Sequence, residues 1–339
     1  MVVTGASGFI GSQICRRLEA AGHEAVAFVR KSSNRQRLQG SDLEVMTGDI
    51  RNQDSLRTAF HHAEAVVHCA ALADPYANPW ESRAVNFIAA FNVCRAATDS
   101  GVSQLVQMST AAVYARDHPR GVPLREEARL VKEPPVYDTY SINKAAAEGY
   151  VQDFGRAGRL ATTILRPGVV YGPGDRVSAA LVSLMHRGKL IIPAGRDRRL
   201  PLIHVDDLGS AVLAALSNSP AGARRYNLDG PRPVTFAAFA DALARNTTRS
   251  SGRVLTERVA HRLAWGFEKW WHIQKLEGRP PLNRYAVDLI TADMILDTIR
   301  GIEELKWEPA VSLDEGAQLT SEWLGSEPAD PAAGFPPLA

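Results

Sequence analysis

Short apolar, β-branched runs alternate with stretches of helical hydrophobic spacing through the first half of the chain. Met1 to Thr4, Ala25 to Val29, Leu43 to Met46, Ala65 to His68, Leu105 to Met108 and Thr162 to Leu165 read as strands. Phe9 to Ala21, Trp80 to Ser100 and Tyr140 to Phe154 read as helices. The strand runs are apolar on both faces, so both faces must be buried. Strict alternation with two-sided burial calls for a parallel sheet with helices on each side, an α/β doubly wound fold. The first strand is short before a glycine-rich turn, and a few further residues are expected ahead of Met1.

Beyond Arg166 the rhythm loosens into loops at Gly172 to Asp175 and Pro193 to Gly195. Between them come a helix near Val177 to Arg187, a strand near Leu202 to Val205, and helices near Asp207 to Ser217 and Thr235 to Arg245. Irregularity of this kind after a regular sheet suggests a smaller mixed α/β region packed over the edge where ligands bind. The expected division is a cofactor-binding part over 1–166, to which 202–217 returns, and a substrate-binding part over 167–201 and 218–324. The proline-rich stretch 325–339 reads as a frayed tail.

Composition narrows the function. The 339 residues are 45% hydrophobic and 22% charged, enough for a substantial core. Lys plus Arg number 39 against 37 Asp plus Glu, a net charge of +2, with no dense basic stripe, so nucleic acid is not an expected partner. Cys15, Cys69 and Cys94 lack the spacing of a disulfide framework or zinc site and suit buried positions in a reducing compartment. No metal site is expected. No apolar run approaches the roughly 20 residues needed to span a bilayer, and no secretion signal opens the chain, so a cytoplasmic location is expected.

Thr4-Gly5-Ala6-Ser7-Gly8-Phe9-Ile10-Gly11 stands where the first strand ends and a helix begins. Gly5 permits a tight turn, Gly8 lets backbone amides approach a pyrophosphate, and Gly11 allows close helix–strand packing, while Phe9 and Ile10 open the helix whose positive end would face the phosphates. The second strand ends in Arg30-Lys31, where an acidic residue would serve an NAD ribose. Arginine there suits the 2′-phosphate of NADP, with NAD as the alternative, or else is a solvated basic turn. Asp49-Ile50, after the third strand, is placed either to meet the adenine or to cap the helix that follows.

Tyr140 and Lys144 lie four apart on one helical face. A phenol with a pKa of about 10 becomes a useful acid/base near neutrality only with about 4 kcal/mol of preferential phenolate stabilisation, which a nearby ammonium can help supply. With Ser109-Thr110-Ala111-Ala112-Val113-Tyr114 at the fifth strand end, His68-Cys69-Ala70-Ala71, Val85-Asn86, the Arg166 to Asp175 segment and His204 to Asp207, the chain resembles the extended short-chain dehydrogenase/reductase superfamily, of NAD(P)-dependent epimerase/dehydratase type, over Met1 to about Leu324. The resemblance implies a Rossmann-type sheet and a homodimer through the helices at Trp80 to Ser100 and Tyr140 to Phe154. It implies catalytic roles for Thr110, Tyr140 and Lys144, with Ser109 able to share that of Thr110. Ala70, Ala71, Asn86, Pro167, Val169 and Val170 would line the cofactor, and Tyr171 and Arg199 would touch substrate.

Nucleotide-sugar members resemble "R-x-F-N-x-Y-G-P" after the sixth strand and carry an Arg before a later "V-x-D" strand. Here Val169 replaces the Asn and Leu200 the Arg, although Arg198 and Arg199 are close by. Leu255, Val259, Leu263, Phe267 and Trp270, with Trp265 and Trp271, form an apolar helical stripe, and Arg279 to Ile290 resembles hydroxysteroid dehydrogenase-like ketoreductases. The stripe suits core or dimer packing first, then a pocket wall, then docking on a membrane surface through Arg253, Arg258, Arg262, Lys269 and Lys275. His204 reads as a packing residue, and Asp206 and Asp207 as helix caps. The expected activity is hydride transfer to a ketone, or from the matching alcohol, on a bulky apolar small-molecule substrate. A nucleotide-sugar epimerase or dehydratase is the alternative, and a non-catalytic dinucleotide sensor a further one.

Overall fold

In a computed structural model, the described residues are 1–135, 137–193, 197–218, 220–247, 252–276, 280 and 282–326. The strands are β1 (Val2–Thr4), β2 (Val26–Val29), β3 (Glu44–Thr47), β4 (Ala65–His68), β5 (Gln104–Met108), β6 (Ala161–Pro167), β7 (Val169–Tyr171), β8 (Ile191–Pro193), β9 (Arg199–Leu200), β10 (Leu202–His204), β11 (Ala223–Leu228), β12 (Val234–Thr235) and β13 (Arg253–Leu255). The helices are α1 (Phe9–Ala20), α2 (Gln53–Phe60), α3 (Pro79–Arg83), α4 (Ala89–Asp99), α5 (Thr139–Arg156), α6 (Arg176–His186), α7 (Val205–Asn218), α8 (Phe236–Thr247), α9 (Glu257–Ile273), α10 (Arg284–Thr291), α11 (Ile299–Leu305) and α12 (Leu313–Ser326). A π-turn over Ala84–Ile88 joins α3 to α4. Of the stretch 325–339 expected as a frayed tail, Gly325 and Ser326 instead complete α12, and 327–339 lies outside the described residues.

Seven strands form one parallel sheet in the order β11-β6-β5-β4-β1-β2-β3. Neighbouring residues on each strand go to opposite layers, as a two-residue period requires. Val3, Ala27, Val67, Val106 and Leu165 pack with α1 and α7, whereas Val2, Phe28, Val66, Leu105 and Ile164 pack with α2, α4 and α5. Strand order reverses between β1 and β4, which opens a crevice at the carboxyl ends of the strands. The glycine turn after β1, Arg30-Lys31 after β2, Asp49 after β3, Ala70-Ala71 after β4 and Ser109-Thr110 after β5 all follow the carboxyl ends of sheet strands.

A separate core of Val182, Met185, Phe239, Leu243 and Ala317 joins α6, α8 and α12. Residues 202–217 divide between the two regions: α7 packs on the sheet, but β10 pairs with β7 outside it. The strand that extends the sheet is β11, beside β6, in a stretch that sequence alone places in the substrate region. Asp207 is not a helix cap. Its buried carboxylate accepts from the amides of Ala310 and Val311 and ties the carboxy-terminal segment to α7. Among the described residues, no helix is long and apolar enough to cross a membrane and no cluster of ligating side chains suits a metal.

Candidate active site

The glycine turn is shaped by what is missing from it. Gly5 has φ of +69°, and a Cβ there would meet the Ala70 backbone at 2.7 Å. A Cβ on Gly11 would lie 2.2 Å from the Gly5 carbonyl. Both are backbone collisions, so neither could be relieved by a rotamer change. Asn or Asp side chains cap α2, α5, α6 and α10. The start of α1 has Gly8 instead and no side-chain cap, which leaves its first amides for an anion. The turn therefore fits a dinucleotide pyrophosphate, with Ser7 through Gly11 as its floor.

The adenosine side is more mixed. Arg30 and Lys31 follow β2 and are exposed, and their charged ends have no ion-pair partner among the described residues. Asp49 instead is clasped by Arg51, whose Nε and Nη2 donate at 3.0 and 2.6 Å, and this holds its carboxyl below the usual range. Ile50 is buried beneath it. Arg37, which sequence reasoning passed over, sits where a Cβ on Gly174 would be 2.9 Å from its Nη1 and 3.3 Å from the Phe9 ring. It thus bridges the β2 side of the groove and the turn Gly172 to Asp175. Asn86, in the π-turn, accepts from the Leu72 amide and donates to the Leu72 carbonyl, fixing the loop that continues from Ala70 and Ala71.

Thr110 and Tyr140 meet across the crevice. Tyr140, at the start of α5, shares a hydrogen bond with Thr110 that favours its ionised form. Burial is the larger influence and pushes the phenol well above its ordinary pKa, with Tyr285 and Asp138 adding to the rise. Lys144 lies one turn deeper. Its Nζ donates to the Met108 carbonyl at 2.5 Å, and burial lowers its pKa to about 8, opposed by Glu148 and Cys69.

Ser109 points elsewhere: its hydroxyl donates to Glu148, not to the side of Tyr140. Glu148 takes Arg166 Nε at 3.0 Å on both oxygens and Nη2 at 2.5 Å. Arg166 is fully buried and donates onward to the Tyr114 hydroxyl at 2.9 Å and the Glu126 carbonyl at 2.8 Å. Tyr114 donates to Asn227 at 2.6 Å. This network braces Lys144 from behind, and the recurrence of Glu148 one turn after Lys144 was its available sequence signal.

A wall of rings and ion pairs beside Asp138 and Tyr140 is assembled from distant segments. Tyr76 and Tyr137 stack with centroids 6.0 Å apart. The Tyr137 hydroxyl donates to Asp288 at 2.5 Å, and Tyr76 to Glu268 at 2.6 Å. Arg116 donates to both Asp138 and Asp288 at 2.7 Å and lies over the Tyr285 ring. Arg284 pairs with Glu268 at 2.7 Å and lies over Tyr137, while His261 approaches Asp288 at 3.0 Å. Asp138 also caps α5 by accepting from the Ser141 amide, so the wall is joined to the helix that carries Tyr140.

Pro167, Val169 and Val170 follow at the end of β6 and in β7, as the motif order anticipates. Tyr171 does not reach the crevice. It is buried in the core against Phe239, His204 and Gly316. Arg199 is bound through Nε and Nη2 to Asp293 at 2.8 and 2.9 Å and serves as a clamp between β9 and the segment after α10. The aromatic stripe of α9 is not core either, since Leu263, Trp265 and Trp270 are about half exposed.

A family model described as the NAD dependent epimerase/dehydratase family matches residues 1–229. The chain belongs to that family. It is an NAD(P)-dependent dehydrogenase, reductase or epimerase of the extended short-chain type. A 2-alkyl-3-oxoalkanoate reductase of Stenotrophomonas maltophilia is 26% identical, the match covering 93% of this chain and 96% of the reductase. A UDP-glucose 4-epimerase of Vibrio cholerae is 24% identical over 95% and 94% of the two chains. Among solved structures, the Thermus thermophilus UDP-glucose 4-epimerase in complex with NAD has a TM-score of 0.74 at 23% identity, covering 96% of this chain and 98% of its own. Family members thus include both reductases and epimerases.

Proposed function

We propose that this enzyme transfers hydride between NADP(H) and a ketone or secondary alcohol on a bulky, largely apolar small molecule. The observation that carries the reading is the wall near Tyr140. Its cations Arg116 and Arg284, and Arg199 beyond, are matched to the carboxylates of Asp138, Asp288, Glu268 and Asp293. A sugar nucleotide's diphosphate needs unmatched positive charge. Beside these pairs, the half-buried rings of Tyr76 and Tyr137 offer apolar surface to a ligand. The similarity to a 2-alkyl-3-oxoalkanoate reductase is in keeping with this.

Bound cofactor supplies or accepts the hydride, and the chain's own groups position the substrate and move the proton. Burial keeps Tyr140 protonated at neutral pH, which suits a donor to the oxygen of a ketone being reduced. Thr110 orients that oxygen through its hydroxyl, and Lys144 holds the nicotinamide ribose. Arg30 and Lys31, exposed and without an ion pair among the described residues, suit an adenosine 2′-phosphate. Half-buried Phe91, Tyr150 and Phe154 on α4 and α5 form the homodimer face within the same reading, which a dimeric mass by light scattering would support.

One feature favours the nucleotide-sugar alternative: the buried Nε of Arg198 has no hydrogen-bond partner among the described residues. The two readings separate by net cofactor consumption. A reductase oxidises NADPH stoichiometrically with an alkyl ketone and leaves UDP-glucose unchanged. Epimerisation of UDP-glucose with no net absorbance change would overturn the proposal.

A further inference from the structure

Helix α9 has an apolar face that the fold does not cover. Its inner side is Ala260 and Ala264, packed with Val287 of α10, and Glu268 turns inward to Arg284 and Tyr76. On the opposite side Val259, Leu263, Trp270 and Ile273 repeat at helical spacing and are 43%, 47%, 48% and 72% exposed. Arg258, Arg262 and Lys269 follow one border of this stripe, and Lys275 lies just beyond its end. These four cations are exposed and make no ion pair among the described residues. The carboxylates of the helix, Glu257 and Glu268, fall on the inner side at 100° per residue.

An occupant must therefore accept apolar side chains and supply negative charge. A second copy of the same face brings more cations and no carboxylate. An anionic bilayer surface supplies both acyl depth for the rings and phosphates for the basic border. We propose that α9 docks the protein on anionic lipid surfaces, lying in the interface with Leu263, Trp270 and Ile273 inserted and Arg258, Arg262 and Lys269 against headgroups. Val254, on β13 just ahead of the helix, is also 46% exposed. The proposal is independent of the substrate reading, since an epimerase could carry such a helix equally well.

The test is cosedimentation of the full chain with vesicles of phosphatidylcholine alone or with about 30% phosphatidylglycerol. Binding is expected to be at least about tenfold tighter to the anionic vesicles and to weaken with added salt. Leu263→Ser with Trp270→Ser should reduce it at least about tenfold, and Arg262→Gln with Lys269→Gln should remove the anionic preference. Unchanged NADPH affinity in each variant shows that the fold is intact. Brominated lipid should quench a tryptophan signal that Trp270→Phe lacks. Absence of binding to either vesicle, equal binding by the Leu263/Trp270 variant, or quenching undiminished by Trp270→Phe would overturn the proposal. So would a wild-type dimer that the Leu263/Trp270 variant turns to monomer, which would assign the face to a second copy.

Discussion

The glycine-turn groove and the wall proposed to face substrate are made by opposite means. The groove is backbone brought close by the absence of side chains at Gly5, Gly8 and Gly11, within one unbroken stretch of sequence. The wall consists of long polar side chains from at least five segments, each charge matched by another and each ring held by a hydroxyl or a guanidinium. A groove of the first kind can recognise only what all dinucleotides share. A wall of the second kind can be rebuilt residue by residue, which is how one family can contain both reductases and epimerases on one sheet.

Tyr140 stands where the two regions meet, and its removal should separate them most sharply. Tyr140→Phe is expected to lower kcat about 10³-fold while cofactor affinity, measured by fluorescence titration, stays within about twofold. A matching loss of affinity would show that the groove and wall are one unit. Arg166→Met comes next, because it strands Glu148 as an unpaired buried charge behind Lys144. Chemical denaturation should show a loss of about 3–5 kcal/mol; a loss below about 1 kcal/mol would mean the network is dispensable.

Asp288→Asn addresses the wall alone. Asp288 accepts from Tyr137 and Arg116 and pairs with His261, so KM for the organic substrate should rise about tenfold with cofactor affinity unchanged. The smallest effect concerns pH. Lys144 titrates at about 8 in the fold against 10.5 for the free side chain. Between those values the unfolded chain binds more protons, so stability of the cofactor-free protein rises with pH over that window. Cofactor affinity should move the other way, falling as pH passes about 8 and the ammonium is lost. Calorimetry of both quantities in wild type and Lys144→Met checks the pair of slopes, and retention of the affinity slope in the variant would exclude Lys144 as its source.

The same contrast explains what was legible in the sequence. Strands, helices and the glycine turn could be read because each leaves a periodic or local mark: the helix expected over Tyr140 to Phe154 is Thr139–Arg156, and that over Phe9 to Ala21 is Phe9–Ala20. β11 escaped notice because Ala223-Arg224-Arg225 is polar, as an edge strand permits. The wall was not legible, since Arg116 and Asp288 are 172 residues apart and nothing in either neighbourhood names the other. Arg199 and Tyr171 were chosen by motif position. Motif position specifies the backbone well, but it does not say that Asp293 claims the one and Phe239 covers the other.

The late arrival of β11 also has a bearing on synthesis. Six strands of the sheet are complete once residue 167 is made, yet the partner of β6 comes only at Ala223–Leu228. Until then the nascent chain shows β6 as an open edge with Thr162, Thr163 and Ile164 along it, and Tyr114 still lacks Asn227. An unpaired edge of that kind invites addition of strands from other chains. A truncated product ending near residue 167 should therefore aggregate despite holding six of the seven strands of the sheet.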